Sequence, residues 1–169
     1  MKDSALREVV EGFKEIGIEA VCALPESRFK ELYRELSRSP DFTYVPVTNE
    51  GEGVSIAGGV GLTGKRAVMV MENSGLRVAC EALARLGLTH GIPVMMMMPY
   101  AGDFGEQFSW GIAHGITMEP LLKSLRIPYF IVRREEDIRG TLVRAQRHMN
   151  SSRYHVAVIL GREVFDETV

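Results

Sequence analysis

Short runs of consecutive apolar residues alternate along the chain with longer segments in which apolar residues recur every three or four positions. The short runs are typical of strands buried on both faces; they cover residues 20–24, 44–47, 67–71, 94–98, 129–132 and 155–160. The longer segments predict amphipathic helices between them. Strands that alternate with helices form parallel sheets. The sequence therefore predicts an α/β fold, a six-stranded parallel sheet with helices on both faces, in a single domain over residues 1–169.

The carboxyl ends of the predicted strands are where a ligand would bind in an open parallel sheet. The segments at this edge are residues 25–27, 48–50, 72–75, 100–116 and 133–134. The stretch 100–116 is the longest, and long loops in compact domains are usually functional or mobile.

Composition argues against several kinds of function. The net charge is -2, and Lys and Arg gather in no long basic run, since Arg133-Arg134 is followed directly by three acidic residues. We therefore expect no nucleic-acid partner. The chain begins with charged residues rather than a signal peptide, and its apolar runs are too short to cross a bilayer. We therefore expect a cytoplasmic protein with no membrane partner, in which Cys22 and Cys80 are reduced thiols.

Three patterns have ordinary structural explanations. Residues 59–64 fit the glycine spacing of a dinucleotide site, but they end a helix and precede a strand, the reverse of the required order. They predict close packing and a helix C-cap at Gly64. The run Met95-Met96-Met97-Met98 predicts a buried strand. His148 and His155 flank a turn and are predicted at the surface, and no spacing is typical of a metal site.

Several polar residues leave two interpretations open. Asp103 and Glu106 are either a carboxylate pair for acid–base chemistry or, as Gly- and Asp-rich loops favour, solvated side chains. His114 is either a solvated loop residue or an active-site acid. Glu50 follows an apolar strand and begins a helix of small residues, where an acid either complements the helix dipole or serves chemistry.

The run Val47-Thr48-Asn49-Glu50-Gly51-Glu52-Gly53, continued by small residues to Gly59, resembles the pyrimidine-binding domain of thiamine diphosphate enzymes. Residues 71–76, Met-Glu-Asn-Ser-Gly-Leu, resemble the QNSGL segment of phosphonopyruvate and sulfopyruvate decarboxylases. Pro93 and the run Leu125-Arg126-Ile127-Pro128 also fit that subgroup. The resemblance spans nearly the whole chain and implies decarboxylation of a small 2-oxoacid with thiamine diphosphate.

The resemblance also implies roles for individual residues. The Glu50 carboxylate would hydrogen-bond the pyrimidine ring nitrogen and favour the imino tautomer that activates the cofactor. His114 would be the second catalytic residue, as a proton donor, or would only cap the following helix. Besides Glu50, the residues implied to contact the cofactor are Pro25, Asn73, Ser74 and Gly75. Those implied to contact the substrate are Glu26, Ser27, Arg77, Tyr100 and Gln107.

These enzymes hold magnesium and the diphosphate with a GDG motif followed by an Asn, and residues 102–105, Gly-Asp-Phe-Gly, are not that motif. We therefore expect no metal ligand in this chain. The resemblance is to the smaller alpha subunit of split sulfopyruvate decarboxylases. It implies a separate diphosphate-binding subunit that holds Mg²⁺, in a hetero-oligomer with two copies of each chain or more. Two alternatives remain open: a carboligase subunit and a non-catalytic orphan domain.

Three departures from the subgroup concern the substrate. Glu26 stands where the subgroup often has Cys, Ala101 where it often has Arg, and Arg77 where it has Gly. Because the forked guanidinium of Arg suits a phosphonate or sulfonate, the loss at Ala101 argues against simple transfer of those substrates. Arg77 either compensates for that loss or is a surface residue.

Two surfaces complete the predictions. Phe104, Phe108 and Trp110 lie in the Gly-rich stretch 100–116 and form either a lid that closes over substrate or apolar bulk buried against the sheet or a partner. The helices predicted over residues 50–62 and 73–88 would expose an apolar face for a partner.

Overall fold

The computed structural model describes residues 1–165, in which six strands alternate with six α-helices. The strands are β1 (Ala20–Ala23), β2 (Thr43–Pro46), β3 (Ala67–Val70), β4 (Met95–Pro99), β5 (Tyr129–Val132) and β6 (Val156–Leu160). The α-helices are α1 (Asp3–Glu15), α2 (Lys30–Arg38), α3 (Glu50–Leu62), α4 (Leu76–Leu83), α5 (Ser109–Ser124) and α6 (Ile138–Ser152). Short 3₁₀ turns at Ser27–Phe29 and Asn73–Gly75 precede α2 and α4, and a π-helical segment, Ala84–Thr89, continues α4.

The strands form one parallel sheet in the order β2-β1-β3-β4-β6-β5, which confirms the predicted fold. The chain moves outward from β1 to β2 and then returns to the other side of β1 with β3. This reversal opens a crevice at the carboxyl ends of β1 and β3, the usual ligand position in such sheets.

Each face of the sheet has its own core. One core contains buried residues of α1, α2 and α6, and the other contains those of α3, α4 and α5. Side chains alternate between them along each strand: Met95 and Met97 enter the first core, and their neighbours Met96 and Met98 enter the second. All of these methionine side chains are fully buried, which confirms the predicted strand.

Burial at the two edge strands is lower than predicted. β2 and β5 were expected to be buried on both faces, but Thr43 and Pro46 of β2 are exposed and most of β5 is half-buried. A strand at the edge of a sheet has a neighbour on one side only. Pro46, which has no N–H to donate, is tolerated there.

The glycines of α3 pack in a different way from the prediction. Gly64 follows the helix with φ +83°, as expected at a C-cap, but Gly59 and Gly61 face open space. The close contacts lie earlier in the helix. A Cβ on Gly53 would overlap the Met69 side chain, so α3 lies directly on β3.

His155 is a correction to the predicted surface histidines, because it is fully buried whereas His148 is exposed. Its Nδ1 accepts the Val94 N–H at 3.0 Å and its Nε2 lies 2.9 Å from the Leu83 carbonyl oxygen. The ring fits because Gly87 has no side chain: a Cβ there would lie 2.5 Å from His155 Nε2.

Within residues 1–165, no helix is long and apolar enough to cross a membrane. Cys22 and Cys80 are free thiols, as predicted.

Candidate active site

The first turn of α3 places Glu50 at the carboxyl edge of the sheet. Asn49 caps the helix by accepting the Glu52 N–H at 2.9 Å, and the Glu52 carboxylate accepts the Thr48 N–H at 2.7 Å and its hydroxyl at 2.8 Å. The cap therefore uses Glu52 at the surface. Glu50, by contrast, is buried with 9% of its surface exposed.

The Glu50 carboxylate rests on the turn that follows β3. A Cβ on Gly75 would overlap both Cγ and Oε1 of Glu50, so only glycine leaves room for this side chain. Gly75 has φ -63° and ψ -19°, a conformation that any residue can adopt. Glycine is required here because of the contact with the Glu50 side chain. Within residues 1–165, the Glu50 carboxylate has no hydrogen-bond partner.

Asn73 begins the same turn and is 1% exposed. Its Nδ2 donates to the Ala101 carbonyl at 2.8 Å and ties the end of β3 to the end of β4. Its Oδ1 is buried and accepts no hydrogen bond from residues 1–165. Because nearly all buried acceptors in proteins have a donor, the Asn73 Oδ1 is an acceptor that a bound ligand with N–H groups would satisfy, and the unpaired Glu50 carboxylate is a second acceptor at the same edge.

The segment after β1 lies on the other side of the crevice. Glu26 caps the turn Ser27–Phe29, with its carboxylate accepting the N–H groups of Arg28 at 2.9 Å and Phe29 at 2.6 Å. Burial raises the pKa of Glu26, and the nearby Glu72 carboxylate acts in the same direction, against these hydrogen bonds. Pro25 and Ser27 are exposed at this edge.

His114 lies within a helix rather than in a loop. Because α5 begins at Ser109, the long loop ends at Phe108, and the interpretation of His114 as a helix cap is wrong. Its Nδ1 is 3.5 Å from Glu72 Oε1, a carboxylate whose Oε2 accepts the Ser74 hydroxyl at 2.8 Å. The sequence prediction gave no role to Glu72, whose one signal was its position directly after a buried strand.

The carboxylates of the long loop are neither a catalytic pair nor solvated. Glu106 accepts the N–H groups of Gly102 at 2.9 Å and Gln107 at 3.0 Å, and pairs with Arg28 at 3.3 Å. Burial opposes the ionised form, but the hydrogen bonds and Arg28 together lower the pKa of Glu106. Asp103 pairs with Arg133 at 2.6 Å. Both acids therefore hold the loop in shape.

The loop aromatics are not buried against the sheet. Phe104 is 99% exposed, and Phe108 and Trp110, whose ring centroids stack at 5.4 Å, are each 53% exposed. Burial against the sheet is therefore wrong. The lid and the partner contact stay predictions.

Two of the residues implied to contact substrate have other contacts, and a third is exposed. Arg77 donates to the Ala113 carbonyl at 3.3 Å and the Thr117 hydroxyl at 3.1 Å, which ties α4 to α5. The Tyr100 hydroxyl donates to Glu119 at 2.8 Å; burial and this carboxylate raise its pKa. Gln107 is exposed. Their roles toward substrate stay predictions.

The described residues contain no group of three or more His, Cys, Asp or Glu side chains that could hold a metal ion.

Residues 5–98 match a known family. The sequence model of the thiamine pyrophosphate enzyme, N-terminal TPP binding domain, matches residues 5–98, and the chain belongs to this family. The resemblance drawn from Glu50 and its neighbours is confirmed.

Curated relatives extend the similarity over most of the chain. The sulfopyruvate decarboxylase subunit alpha of Methanococcus maripaludis is 27% identical over 93% of this chain and 94% of its own length. The subunit of the same name from Methanocaldococcus jannaschii is 28% identical over 89% of each chain. The sulfopyruvate decarboxylase of Methanosarcina acetivorans is 26% identical over 90% of this chain but only 39% of its own length.

The residues present fit the pyrimidine end of thiamine diphosphate, the cofactor that the family binds. An aminopyrimidine carries N–H groups, and the edge of the sheet offers the buried Glu50 carboxylate and the buried Asn73 oxygen as acceptors. Gly75 leaves the space beside Glu50 free of a side chain.

Proposed function

We propose that this chain is the pyrimidine-binding subunit of a split thiamine diphosphate-dependent 2-oxoacid decarboxylase, a carboxy-lyase that works with a separate diphosphate-binding subunit. The observation that carries the proposal is the Glu50 carboxylate, buried against Gly75 with no hydrogen-bond partner within residues 1–165. The relatives named as decarboxylase alpha subunits support both the reaction and the division into subunits.

The cofactor supplies the carbon nucleophile and the electron sink when it is bound, and the protein supplies binding, orientation and proton control. Glu50 would accept an N–H of the pyrimidine ring and so hold the proton on that ring. Asn73 Oδ1 is the second acceptor for the same ring. Ser74, Gly75 and Pro25 would also contact this ring.

The reaction also needs a proton at the carbon from which carbon dioxide leaves, because the product is an aldehyde. His114 is the donor in this proposal. His114 lies beside Glu72, and Glu72 directly precedes the turn on which the Glu50 side chain rests. Positioned proton transfer of this kind contributes about 10²–10⁴ in rate.

The partner subunit holds the diphosphate and Mg²⁺, in a cytoplasmic hetero-oligomer with two copies of each chain or more. Exposed apolar side chains that suit such a contact lie on α3, α4 with its π-helical extension, and α5: Leu62, Val78, Leu88, Ile112 and Ile116. The substrate is a small 2-oxoacid that enters between the segment after β1 and the long loop, past Glu26, Ser27, Arg77, Tyr100 and Gln107.

Reconstitution tests the proposal. The chain would be combined with the diphosphate-binding subunit, thiamine diphosphate and Mg²⁺, and carbon dioxide release would be measured over a panel of 2-oxoacids. We expect turnover that requires both chains and the cofactor, and calorimetry should show weak or no cofactor binding to this chain alone. Formation of the complex without release of carbon dioxide from any 2-oxoacid would contradict it.

A further inference from the structure

Glu72 is an acidic residue at the centre of the candidate site with no assigned role. It directly precedes the turn Asn73–Gly75, and the far end of that turn carries the Glu50 carboxylate. The Glu72 side chain is 24% exposed. Glu72 and Glu50 therefore flank one short turn, at the crevice between β1 and β3.

The two oxygens of the Glu72 carboxylate have different neighbours. Oε2 accepts the Ser74 hydroxyl at 2.8 Å, which fixes the carboxylate on the turn. Oε1 faces His114 Nδ1 at 3.5 Å. That nitrogen is buried and has no hydrogen-bond partner within residues 1–165. An ionised carboxylate only accepts hydrogen bonds, so a bond between these atoms requires the hydrogen on Nδ1.

The helix that carries His114 is held firmly against the site. Gly102 and Gly115 lie so close that a Cβ on Gly102 would meet the backbone nitrogen of Gly115 at 2.5 Å. Arg77 binds the same helix at Ala113, and the Trp110 ring lies 5.6 Å from the His114 ring. The backbone that carries His114 is therefore tied both to the segment after β4 and to α4.

We infer that Glu72 is the positioning residue for His114: it accepts the Nδ1 hydrogen, fixes the tautomer of the ring and leaves Nε2 to serve the substrate. The inference rests on the proposed function. A separation of 3.5 Å is longer than a hydrogen bond, but catalytic hydrogen bonds are often long without substrate and shorten once it binds.

The proton balance of the reaction explains why His114 would need Glu72 as a partner. Before each turnover the His114 ring takes one proton from solvent, the proton that the overall reaction consumes. Loss of carbon dioxide leaves an electron pair at the carbon that carried the carboxylate, which the cofactor would delocalise when bound. That carbon then takes the Nε2 proton of the imidazolium to form the C–H bond of the aldehyde. The ring is left neutral with its remaining hydrogen on Nδ1, the tautomer that the Glu72 carboxylate stabilises.

The tautomer of His114 is the first test, by ¹⁵N NMR of the imidazole nitrogens in the full chain. Wild type is expected to carry the hydrogen on Nδ1. Glu72→Met keeps the length of the side chain without an acceptor and is expected to lose this preference. Glu72→Gln retains an acceptor oxygen and is expected to keep it. The matched control is Glu81→Met, which removes an exposed acid of α4. An unchanged tautomer in Glu72→Met would overturn the inference.

Turnover of the reconstituted complex is the second test. Glu72→Met is expected to lower kcat by roughly 10–10²-fold, a part of the total from general acid catalysis, with KM nearly unchanged. Glu72→Gln should recover most of that loss. The double variant Glu72→Met/His114→Ala should be no slower than His114→Ala, because Glu72 acts through His114. Additive losses would overturn the inference, whereas a wild-type complex without any turnover would overturn the proposed function and leave the NMR result to decide the pairing.

Discussion

Two buried polar regions of this chain lie at opposite ends of the sheet, and they differ in whether their hydrogen bonds are complete. At the amino end, both ring nitrogens of His155 have backbone partners, the Val94 N–H and the Leu83 carbonyl. At the carboxyl end, Glu50 and the Asn73 Oδ1 are buried without a hydrogen-bond partner within residues 1–165. Complete pairing stabilises a fold, and incomplete pairing leaves atoms for a ligand.

In both regions a glycine leaves space for the buried polar side chain. Gly87 leaves space for the His155 ring and Gly75 leaves space for the Glu50 carboxylate. Substitutions in the two regions should therefore have different effects: those at the amino end should lower the free energy of unfolding, and those at the carboxyl end should lower turnover.

Among variants that leave Glu50 itself unchanged, the largest effect is expected from Gly75→Ala. The backbone of Gly75 suits alanine, but the new methyl group would displace the Glu50 carboxylate. Displacement of a catalytic group by about 1 Å costs on the order of 10²-fold in rate, so kcat of the reconstituted complex should fall by that factor. Gly59→Ala is the control, because Gly59 faces open space in α3 and alanine favours a helix. Equal activity of both variants would show that the space at Gly75 is not needed to position Glu50.

His155→Leu should act on stability instead. It keeps a side chain of similar size but leaves the Val94 N–H without its acceptor, and a buried group left unpaired costs about 1–3 kcal/mol. The free energy of unfolding, measured with urea, should fall by about that amount. Turnover per folded complex should match wild type. A loss of turnover in fully folded complex would show that the amino end also serves chemistry.

A smaller effect is expected from pH. Burial lowers the pKa of His155 below its usual value of 6.5. The unfolded chain therefore binds this proton more readily than the folded chain, so the stabilisation is complete above about pH 6.5 and is lost as the pH falls. Between pH 7 and pH 5, the free energy of unfolding measured with urea should fall more for wild type than for His155→Leu. The difference between the two proteins cancels the opposite trend from Glu26, whose pKa is raised. If the free energies of unfolding of the two proteins changed equally with pH, His155 would not be the source of this pH dependence.

The sequence was most informative where local pattern and local chemistry coincide. The six buried runs predicted the sheet, and the position of Glu50 after a strand predicted its place at the carboxyl edge. The choice of Glu50 rather than Glu52 came from the family resemblance, and in the structure Glu52 belongs to the cap of α3.

The sequence was least informative where distant residues decide. His155 is buried because Gly87, far away in the chain, makes room for it. The start of α5 was missed because its first turns are rich in residues that do not favour helices. Glu106, which accepts the Phe108 N–H at 3.2 Å, and the backbone contact between Gly102 and Gly115 stabilise them from outside.

The most direct test of the central claim is kcat of the reconstituted complex with Glu50→Gln, measured beside Glu52→Gln. Glutamine keeps the shape of either side chain and removes its charge, and only Glu50 is buried at the site. We predict that Glu50→Gln lowers turnover by about 10²–10⁴-fold without unfolding the chain, while Glu52→Gln stays near wild type. Near-normal turnover of Glu50→Gln in an assembled complex would contradict the account.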